Sequence, residues 1–173
     1  SNTLIEKFND LRSQILCQKR ELGKLANDIY RMREKMRNSI IEKNNVKRKL
    51  KKASKPENIS ADSATFDIKH DAGGIIDIEF IVQFQVLSYA YQFTNLACWS
   101  DNIRILKYLG SNGLMMPKDA ENLIQSYVSY RSEGHRLQLQ KLPLITKASK
   151  YSIERAQVIS SWDKLFKEQS SSD

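Results

Sequence analysis

Hydrophobic residues recur every three or four positions along much of the chain, which is the spacing of one face of an α-helix. This spacing predicts a first helix capped by Thr3 and a second helix near Gly23, where we expect a break or a kink. The second apolar stripe is narrow, so we expect that helix to pack on one side only. The two stripes consist of Leu4, Phe8, Leu11, Ile15 and Leu16, and of Leu22, Leu25, Ile29, Met32, Met36 and Ile40.

The stretch 75–92 is apolar around nearly its whole circumference when it is drawn at about 100° per residue. A helix of this kind lies in the middle of a bundle. Asp77 lies on a narrow polar strip, and Glu79 lies on nearly the opposite side, among isoleucines and phenylalanines. Because a buried carboxylate without a partner is costly, we expect Glu79 to have a cationic or hydrogen-bonding partner, or a raised pKa. Arg131 is the first candidate partner and Arg104 the second.

Three further helices are predicted after residue 98. One begins with Ser100 as its N-cap, one with Pro117 at its first position and one near Ser152. Extending the apolar stripe of the middle helix places Arg131 and His135 inward or in a cleft. The pattern leaves two interpretations of His135 open, a satisfied core histidine and a catalytic residue, and it favours the first.

These patterns predict an all-α fold, a helical bundle with a long N-terminal helical pair and a central buried helix. Residues 3–53 would form the N-terminal helices with a basic end. Residues 54–74 would form a loop that carries a lysine and a Gly-Gly pair, with a short extended piece at Thr65–Lys69. Residues 75–168 would form the helical bundle, and residues 169–173 a disordered tail.

The composition is that of a protein with a real core, since 40% of the 173 residues are hydrophobic. No apolar run reaches about 18 residues, so we expect no transmembrane helix. Cys17 and Cys98 lack metal-ligand spacing and indicate a reducing environment. With no signal-peptide pattern at the start, these features predict a cytoplasmic protein without a zinc site.

The net charge of +8 is concentrated in one segment. From Arg31 to Lys55 there are eleven basic residues and two acidic ones. Such a strip is typical of surfaces that bind phosphates or an acidic partner, although a solvated helix face has the same pattern. No aromatic residues alternate with the basic ones, as a surface for single-stranded nucleic acid would need. The basic residues at the end of the strip are Lys47, Arg48, Lys49, Lys51 and Lys52.

The candidate site lies where the central helix begins. Lys69 and the pair Gly73-Gly74 precede the helix, and Asp77 lies in its first turns. Glycines permit a sharp turn, and a helix start offers unpaired N–H groups, so with Lys69 the segment is suited to an anion such as phosphate. The same residues also make an ordinary tight start to a core helix, and the pattern alone favours that interpretation.

The sequence lacks the residue sets of a complete catalyst. It contains no Ser-His-Asp set, no metal-ligand cluster, no Walker loop and no GxGxxG. Asp77 and Glu79 are two residues apart on a helix, so they face away from each other and cannot share one metal ion. The sequence therefore predicts an accessory or substrate-positioning domain.

Segments spread over most of the chain resemble one enzyme family. They are Phe66–Lys69, Gly73-Gly74, Asp77–Phe80, Trp99–Leu106, Tyr127–Arg131, His135–Gln140 and, upstream, Arg31–Arg37. In combination they resemble the bifunctional glutamine synthetase adenylyltransferase, also called the adenylyl-removing enzyme. The family has two halves, each a nucleotidyltransferase domain followed by a helical domain, and the end of this chain resembles the extreme C-terminal portion.

The resemblance implies that the chain is the helical domain after the C-terminal, transferase half. That half moves AMP from ATP to a tyrosine of glutamine synthetase, needs Mg²⁺, and responds to glutamine and the PII signal protein. The metal-binding pattern of the family, a Gly-Ser turn followed by two strand aspartates, does not occur here. We therefore expect this fragment to hold no metal or ATP and to be inactive without the upstream nucleotidyltransferase domain of the same polypeptide.

Within that family, Lys69 and the turn at Gly73 and Gly74 would close over the nucleotide, with Lys69 at a phosphate. Asp77 would order the loop or a neighbouring cation. Glu79, with Arg104 or Arg131, would support the site.

The basic end of the second helix would face the nucleotide cleft of the missing domain or dock on glutamine synthetase. The alternative function is a non-enzymatic basic helical module that binds nucleic acid or assembles proteins. We expect neither a membrane nor nucleic acid as a partner.

Overall fold

The computed structural model describes residues 3–51 and 64–167. Within these residues, six helices and two short strands follow one another in the order α1 (Leu4–Leu16), α2 (Leu22–Lys51), β1 (Thr65–Asp67), α3 (Ile75–Tyr89), α4 (Asn102–Ser111), α5 (Pro117–Leu139), β2 (Ile145–Lys147) and α6 (Ser152–Phe166). Short 3₁₀ helices at Thr94–Ala97 and Ala148–Tyr151 precede α4 and α6. The predicted all-α bundle is confirmed.

Helix α3 lies at the centre and contacts α2, α4, α5 and α6. Its side chains are buried on nearly every side, as Ile78, Ile81 and Phe84 show. Phe84 packs edge-on against Phe166 of α6, with 5.0 Å between the ring centroids. Because neighbouring helices cover α3 all round, its sequence needs no polar face, and the predicted central helix is confirmed.

The two strands pair antiparallel, with Phe66 opposite Thr146. Phe66 is fully buried and packs edge-on against Tyr130 of α5. An extended piece at β1 was expected, whereas β2 was not, because a three-residue strand carries too little periodicity to stand out. This small sheet connects the segment after α5 to the loop that precedes α3.

Several helix ends fall where the sequence indicates. Thr3 caps α1 in a reciprocal capping box with Glu6. Pro117 and Ser152 begin their helices as predicted. The prediction for α4 was wrong by one residue, because the carboxylate of Asp101 rather than Ser100 accepts the N–H of Arg104, at 2.7 Å.

Other predicted boundaries shift. Gly23 lies in the first turn of α2 and breaks nothing, since the break between α1 and α2 falls before Leu22. The central helix ends at Tyr89 rather than residue 92. The predicted tail 169–173 and most of the predicted loop 54–74, up to residue 63, lie outside the described residues. In the parts of the chain that are described, no helix is both long and apolar enough to cross a bilayer.

Candidate functional site

The loop between β1 and α3 is shaped by two aspartates. Asp67 Oδ1 accepts the backbone N–H groups of Lys69 and His70, at 2.9 and 3.0 Å. Its other oxygen lies 3.1 Å from His70 Nδ1. Asp71 reaches back, and its carboxylate accepts the N–H of Asp67 at 2.9 Å. Carboxylates that bond nearby backbone in this way stabilise a tight turn, so the loop is a defined structure.

Each glycine of the pair is required by a close approach. Gly73 has φ of +81°, and a Cβ there would lie 2.7 Å from the backbone oxygen of Arg155 in α6. A Cβ on Gly74 would lie 2.5 Å from the backbone oxygen of Ile68. The pair therefore lets the loop fold under itself and lets α6 pack directly on it.

The backbone N–H groups at the start of α3 are already bonded within the loop. The N–H of Gly74 bonds to Asp71 O, that of Ile75 to Ile68 O, and that of Ile76 to Lys69 O. These groups are the ones that a phosphate at a helix start would use. The geometry thus favours the tight helix start over an anion cradle built from these amides.

Lys69 remains available for a ligand. Its side chain is exposed on the turn, and it forms no hydrogen bond or ion pair with other described residues. Lys69 can therefore meet a phosphate only as a single surface charge on a rigid loop.

Asp77 is the most heavily bonded side chain of the site and is fully buried. Arg33 Nε donates to its Oδ1 at 2.6 Å, and Arg37 Nη2 donates to its Oδ2 at 2.8 Å. Its Oδ2 also accepts the N–H of Gly73 at 2.7 Å. Since both oxygens are occupied, Asp77 orders the loop and has little capacity left for a metal ion.

Three arginines, Arg33 and Arg37 from α2 and Arg155 from α6, hold the loop, and we call them the arginine clamp. Besides binding Asp77, the clamp bonds loop carbonyls, from Arg33 Nη2 to His70 O at 2.7 Å and from Arg155 Nε to Ala72 O at 2.9 Å. The guanidinium of Arg155 also stacks 4.8 Å from the centroid of the Phe66 ring. The clamp fixes the loop that carries Lys69 against two helices that are distant in sequence.

Glu79 has a hydrogen-bonding partner, as expected, but that partner is neither of the two candidate arginines. Glu79 is half-buried and accepts a long hydrogen bond, 3.4 Å, from the hydroxyl of Tyr127. Asn102 in turn donates to that hydroxyl at 3.0 Å. Because part of the carboxylate reaches solvent, it does not need a cation, and it forms no ion pair with a described residue.

The three other supporting residues do not converge on the site. Arg104 is exposed and stacks on Trp99, 4.6 Å from the ring centroid. Arg131 is exposed, with its guanidinium 5.9 Å from the centroid of the Tyr127 ring. His135 is exposed as well. The apolar stripe of α5 was extended one turn too far, since Tyr130, Glu133 and Leu137 face inward instead.

The basic residues predicted as a docking surface lie at the end of α2. The helix continues through Lys47, Arg48, Lys49 and Lys51, whose side chains lie outside the description, and Lys52 lies outside the described residues altogether. Their role stays a prediction.

The arginine clamp was missed from the sequence. On α2 the buried face runs through Ala26, Ile29 and Arg33, whereas Met32, which was assigned to it, is 49% exposed. Arg33 and Arg37 are four residues apart, like Gly73 and Asp77. The missed signal was that Arg33 continues an apolar stripe at helical spacing, where a charge must have a buried partner.

A second missed cluster lies on α5. Glu133 is paired with Arg136 at 2.7 Å and with Lys150 at 2.9 Å. Hydrogen bonds from Arg136, followed by those from Lys150, lower the pKa of Glu133 to about 2. In the same helix, burial raises the pKa of the Tyr130 hydroxyl far above its usual value, with Glu154 adding to the shift. The cluster connects α5 to the segment before α6.

The described part of the chain contains no group of three or more His, Cys, Asp or Glu residues placed to hold a metal ion.

Fold and site together define an all-α domain that presents a clamped, lysine-bearing loop. The family model described as GlnD PII-uridylyltransferase matches residues 31–143, and the chain belongs to that family.

Two curated relatives refine this placement. The chain is 40% identical over 162 residues to the bifunctional glutamine synthetase adenylyltransferase/adenylyl-removing enzyme of Hahella chejuensis, a match that covers 94% of the chain. It is 37% identical over 158 residues, 91% of the chain, to the protein of the same name from Pseudomonas aeruginosa. Each match covers 16% of the relative, so the chain spans about a sixth of the length of these relatives.

Proposed function

We propose that the chain is the helical domain that follows the transferase domain of a glutamine synthetase adenylyltransferase. The observation that carries the proposal is the identity of 40% and 37% over more than nine-tenths of the chain to two enzymes of that name. In this proposal the longer enzyme moves AMP from ATP to a tyrosine of glutamine synthetase, with Mg²⁺ held by the upstream nucleotidyltransferase domain. The helical domain contributes the loop with Lys69 to the active site, whereas the metal-binding residues belong to the upstream domain. The 173-residue chain is therefore inactive without that domain.

Within that enzyme, the Lys69 end of the loop faces the nucleotide, and Lys69 contacts a phosphate. Gly73 and Gly74 are buried against α6 and Ile68, so they shape the loop and do not meet the nucleotide. The bonded backbone of the loop supports this role, because only the side chain of Lys69, and not the loop, has to lose conformational freedom when a phosphate binds. Asp77 and the arginine clamp act behind the loop as positioning residues. Glutamine and the PII protein regulate the parent enzyme through parts of it that the proposal does not assign.

A transfer assay with the full-length parent enzyme tests the proposal. ATP labelled in its α-phosphate is offered with glutamine synthetase and Mg²⁺, and label in the synthetase is the expected result. UTP labelled in the same position is offered with PII in parallel, because the matching family model is described as a PII-uridylyltransferase. Label on PII and none on the synthetase would establish the second activity instead.

The role of Lys69 is tested by Lys69→Ala in the full-length enzyme, with Lys107→Ala on the exposed face of α4 as the control. We expect Lys69→Ala to raise the KM for ATP or to lower kcat about tenfold or more, the loss of one charged contact to phosphate, while Lys107→Ala changes neither. Unchanged ATP dependence in Lys69→Ala would show that the loop does not meet the nucleotide.

The basic end of α2 is assigned to docking on glutamine synthetase. Reversing the charge of Lys47, Lys49 and Lys51 to glutamate is expected to weaken the affinity for the synthetase and to leave ATP use normal. A change in ATP use instead would place these residues at the nucleotide cleft. Binding of the isolated chain to RNA or DNA with a steep salt dependence at physiological salt would favour the nucleic-acid module.

A further inference from the structure

Helix α1 has an apolar face that nothing in the described chain covers. None of its residues is buried, and the side chains of Leu4, Ile5, Phe8, Leu11 and Ile15 are 84%, 71%, 63%, 56% and 49% exposed. We call these five residues the α1 stripe. Single exposed hydrophobic residues are ordinary, but a contiguous row on one helix indicates an interaction surface.

The helix that carries the stripe is nonetheless held in place. Arg12 Nη2 donates to the backbone oxygen of Trp99 at 2.6 Å. Arg20 closes the C-terminal end of α1, with hydrogen bonds of 2.6 and 3.1 Å to the carbonyls of Ile15 and Leu16. With the capping box at Thr3, both ends of α1 are fixed, so the stripe is preorganised for a partner.

An open groove of about 480 Å³ runs beside the stripe, between α1 and α3. Phe8, Leu11 and Ile15 form one wall, and Val82 and Val86 of α3 belong to the other. The stripe and the groove together make one continuous apolar surface, which an apolar helix face could cover.

The small area of the stripe argues against a second copy of the chain. Burying an apolar side chain contributes roughly 1.5–3 kcal/mol, and dividing this energy by roughly 25 cal/mol per Å² gives the apolar surface of one side chain. Scaled by their exposed fractions, the five side chains together offer on the order of 300 Å² of apolar surface to a partner. A stable free complex buries about 800 Å² on each partner.

The objection from area does not apply to a partner that is tethered to this chain. Contacts between domains of one chain bury only roughly 600–1,500 Å² in total, and a linker supplies a high effective concentration. The matched relatives are about six times longer than the chain, which covers 16% of them. The family model begins at residue 31, beyond α1, so α1 lies outside the part of the chain that the helical family defines.

We propose that the α1 stripe and the adjoining groove are the docking face for an apolar helix of another domain of the same, longer polypeptide. The proposal rests on the part of the proposed function that makes this chain one domain of a larger enzyme. It does not depend on which group that enzyme transfers.

Hydrogen–deuterium exchange of the full-length parent enzyme tests the docking face. Phe8→Asp places one charge in the stripe, and Asn9→Asp places the same charge beside it, at an exposed polar position of α1. We expect Phe8→Asp to speed exchange about tenfold or more, both in 4–16 and in one segment outside the 173 residues, because undocking exposes both partners. Asn9→Asp should change neither. Leu4→Asp, at the most exposed position of the stripe, is the second variant and should reproduce Phe8→Asp.

The outcomes separate the possible occupants. Faster exchange confined to 4–16, or an equal effect of Asn9→Asp, would overturn the proposal. A wild-type enzyme that is dimeric by light scattering and becomes monomeric in Phe8→Asp would assign the stripe to a second copy and would overturn it as well. Exchange is measured without AMP transfer, so failure of the transfer assay with paired exchange would refute the proposed reaction and leave the docking face standing.

Discussion

The start of α3 and the whole of α1 differ in which side chains are buried: a charged one is buried in the first, and apolar ones are exposed in the second. At the start of α3, a fully buried carboxylate is enclosed by Arg33, Arg37 and the N–H of Gly73. Along α1, large apolar side chains stand in solvent while polar residues hold the helix ends. In the first region the carboxylate is satisfied within the chain, because both oxygens of Asp77 have partners. The second is complete only with a partner, and this difference distinguishes a structural site from an interface.

The largest expected effect comes from neutralising Asp77. Asp77→Asn leaves Arg33 buried and unpaired, so we expect the free energy of unfolding to fall by about 3–5 kcal/mol. Chemical denaturation of the 173-residue chain measures it. Asp101→Asn is the control, because asparagine caps a helix as well as aspartate and should change stability by less than about 0.5 kcal/mol. Equal losses in the two variants would show that the arginine clamp stabilises the fold no more than an ordinary helix cap does.

The next effect comes from adding one methyl group at Gly73. Gly73→Ala combines a left-handed backbone with a Cβ 2.7 Å from the backbone of Arg155, whereas Gly113 has φ of +70° and open space around it. Both variants should lose roughly 1–2 kcal/mol for the backbone conformation. We expect Gly73→Ala to lose about 1–3 kcal/mol more through the clash with α6, again by chemical denaturation. If Gly113→Ala is equally destabilising, α6 does not press on the loop.

A smaller effect depends on pH and belongs to Glu133. Its pKa is lowered from 4.5 to about 2, so its ion pairs stabilise the fold above pH 4.5 and lose that contribution as the pH falls toward 2. Glu133→Gln should therefore be less stable than the wild type at pH 7, and the two should converge as the pH falls to 2. Melting temperatures across this range measure it, with exposed Glu121→Gln on the same helix as the control. A difference that persists at pH 2 would contradict the assignment.

The smallest effect is expected in the α1 stripe. Phe8 is 63% exposed, so Phe8→Asp removes little buried surface and should change the stability of the 173-residue chain by no more than about 0.5 kcal/mol. Asn9→Asp should match it in thermal melts. A large loss in Phe8→Asp would mean that the stripe packs within this chain, and the contrast between the two regions would disappear.

Much of the fold could be predicted because the signals for a helix come from residues that are close together in the sequence. The capping box at Thr3, the proline at residue 117 and the all-round apolar stretch of α3 each depend on residues close in sequence. The short strand β2 could not be predicted, because it forms by pairing with β1, about eighty residues earlier.

The candidate site was located from the sequence, but its connections were not. Lys69, the two glycines and Asp77 do lie together at one loop, as their spacing requires. The partners of Asp77 come from α2, about forty residues upstream, and Arg155 comes from α6. Glu79 was expected to be buried and to pair with Arg131 or Arg104, but it is only half-buried and accepts a hydrogen bond from Tyr127, since burial depends on which helices cover each face.

The sequence by itself determined the helical class, the central position of α3 and the need for glycine before it, because periodicity, capping and backbone freedom are properties of neighbouring residues. Only the tertiary structure decided that Asp77 binds Arg33 and Arg37, that Arg131 and His135 face solvent, and that nothing in the described part of the chain covers the apolar face of α1. These facts depend on contacts between residues far apart in the chain, and the free energy of a buried charge or an exposed apolar face is set by what lies against it.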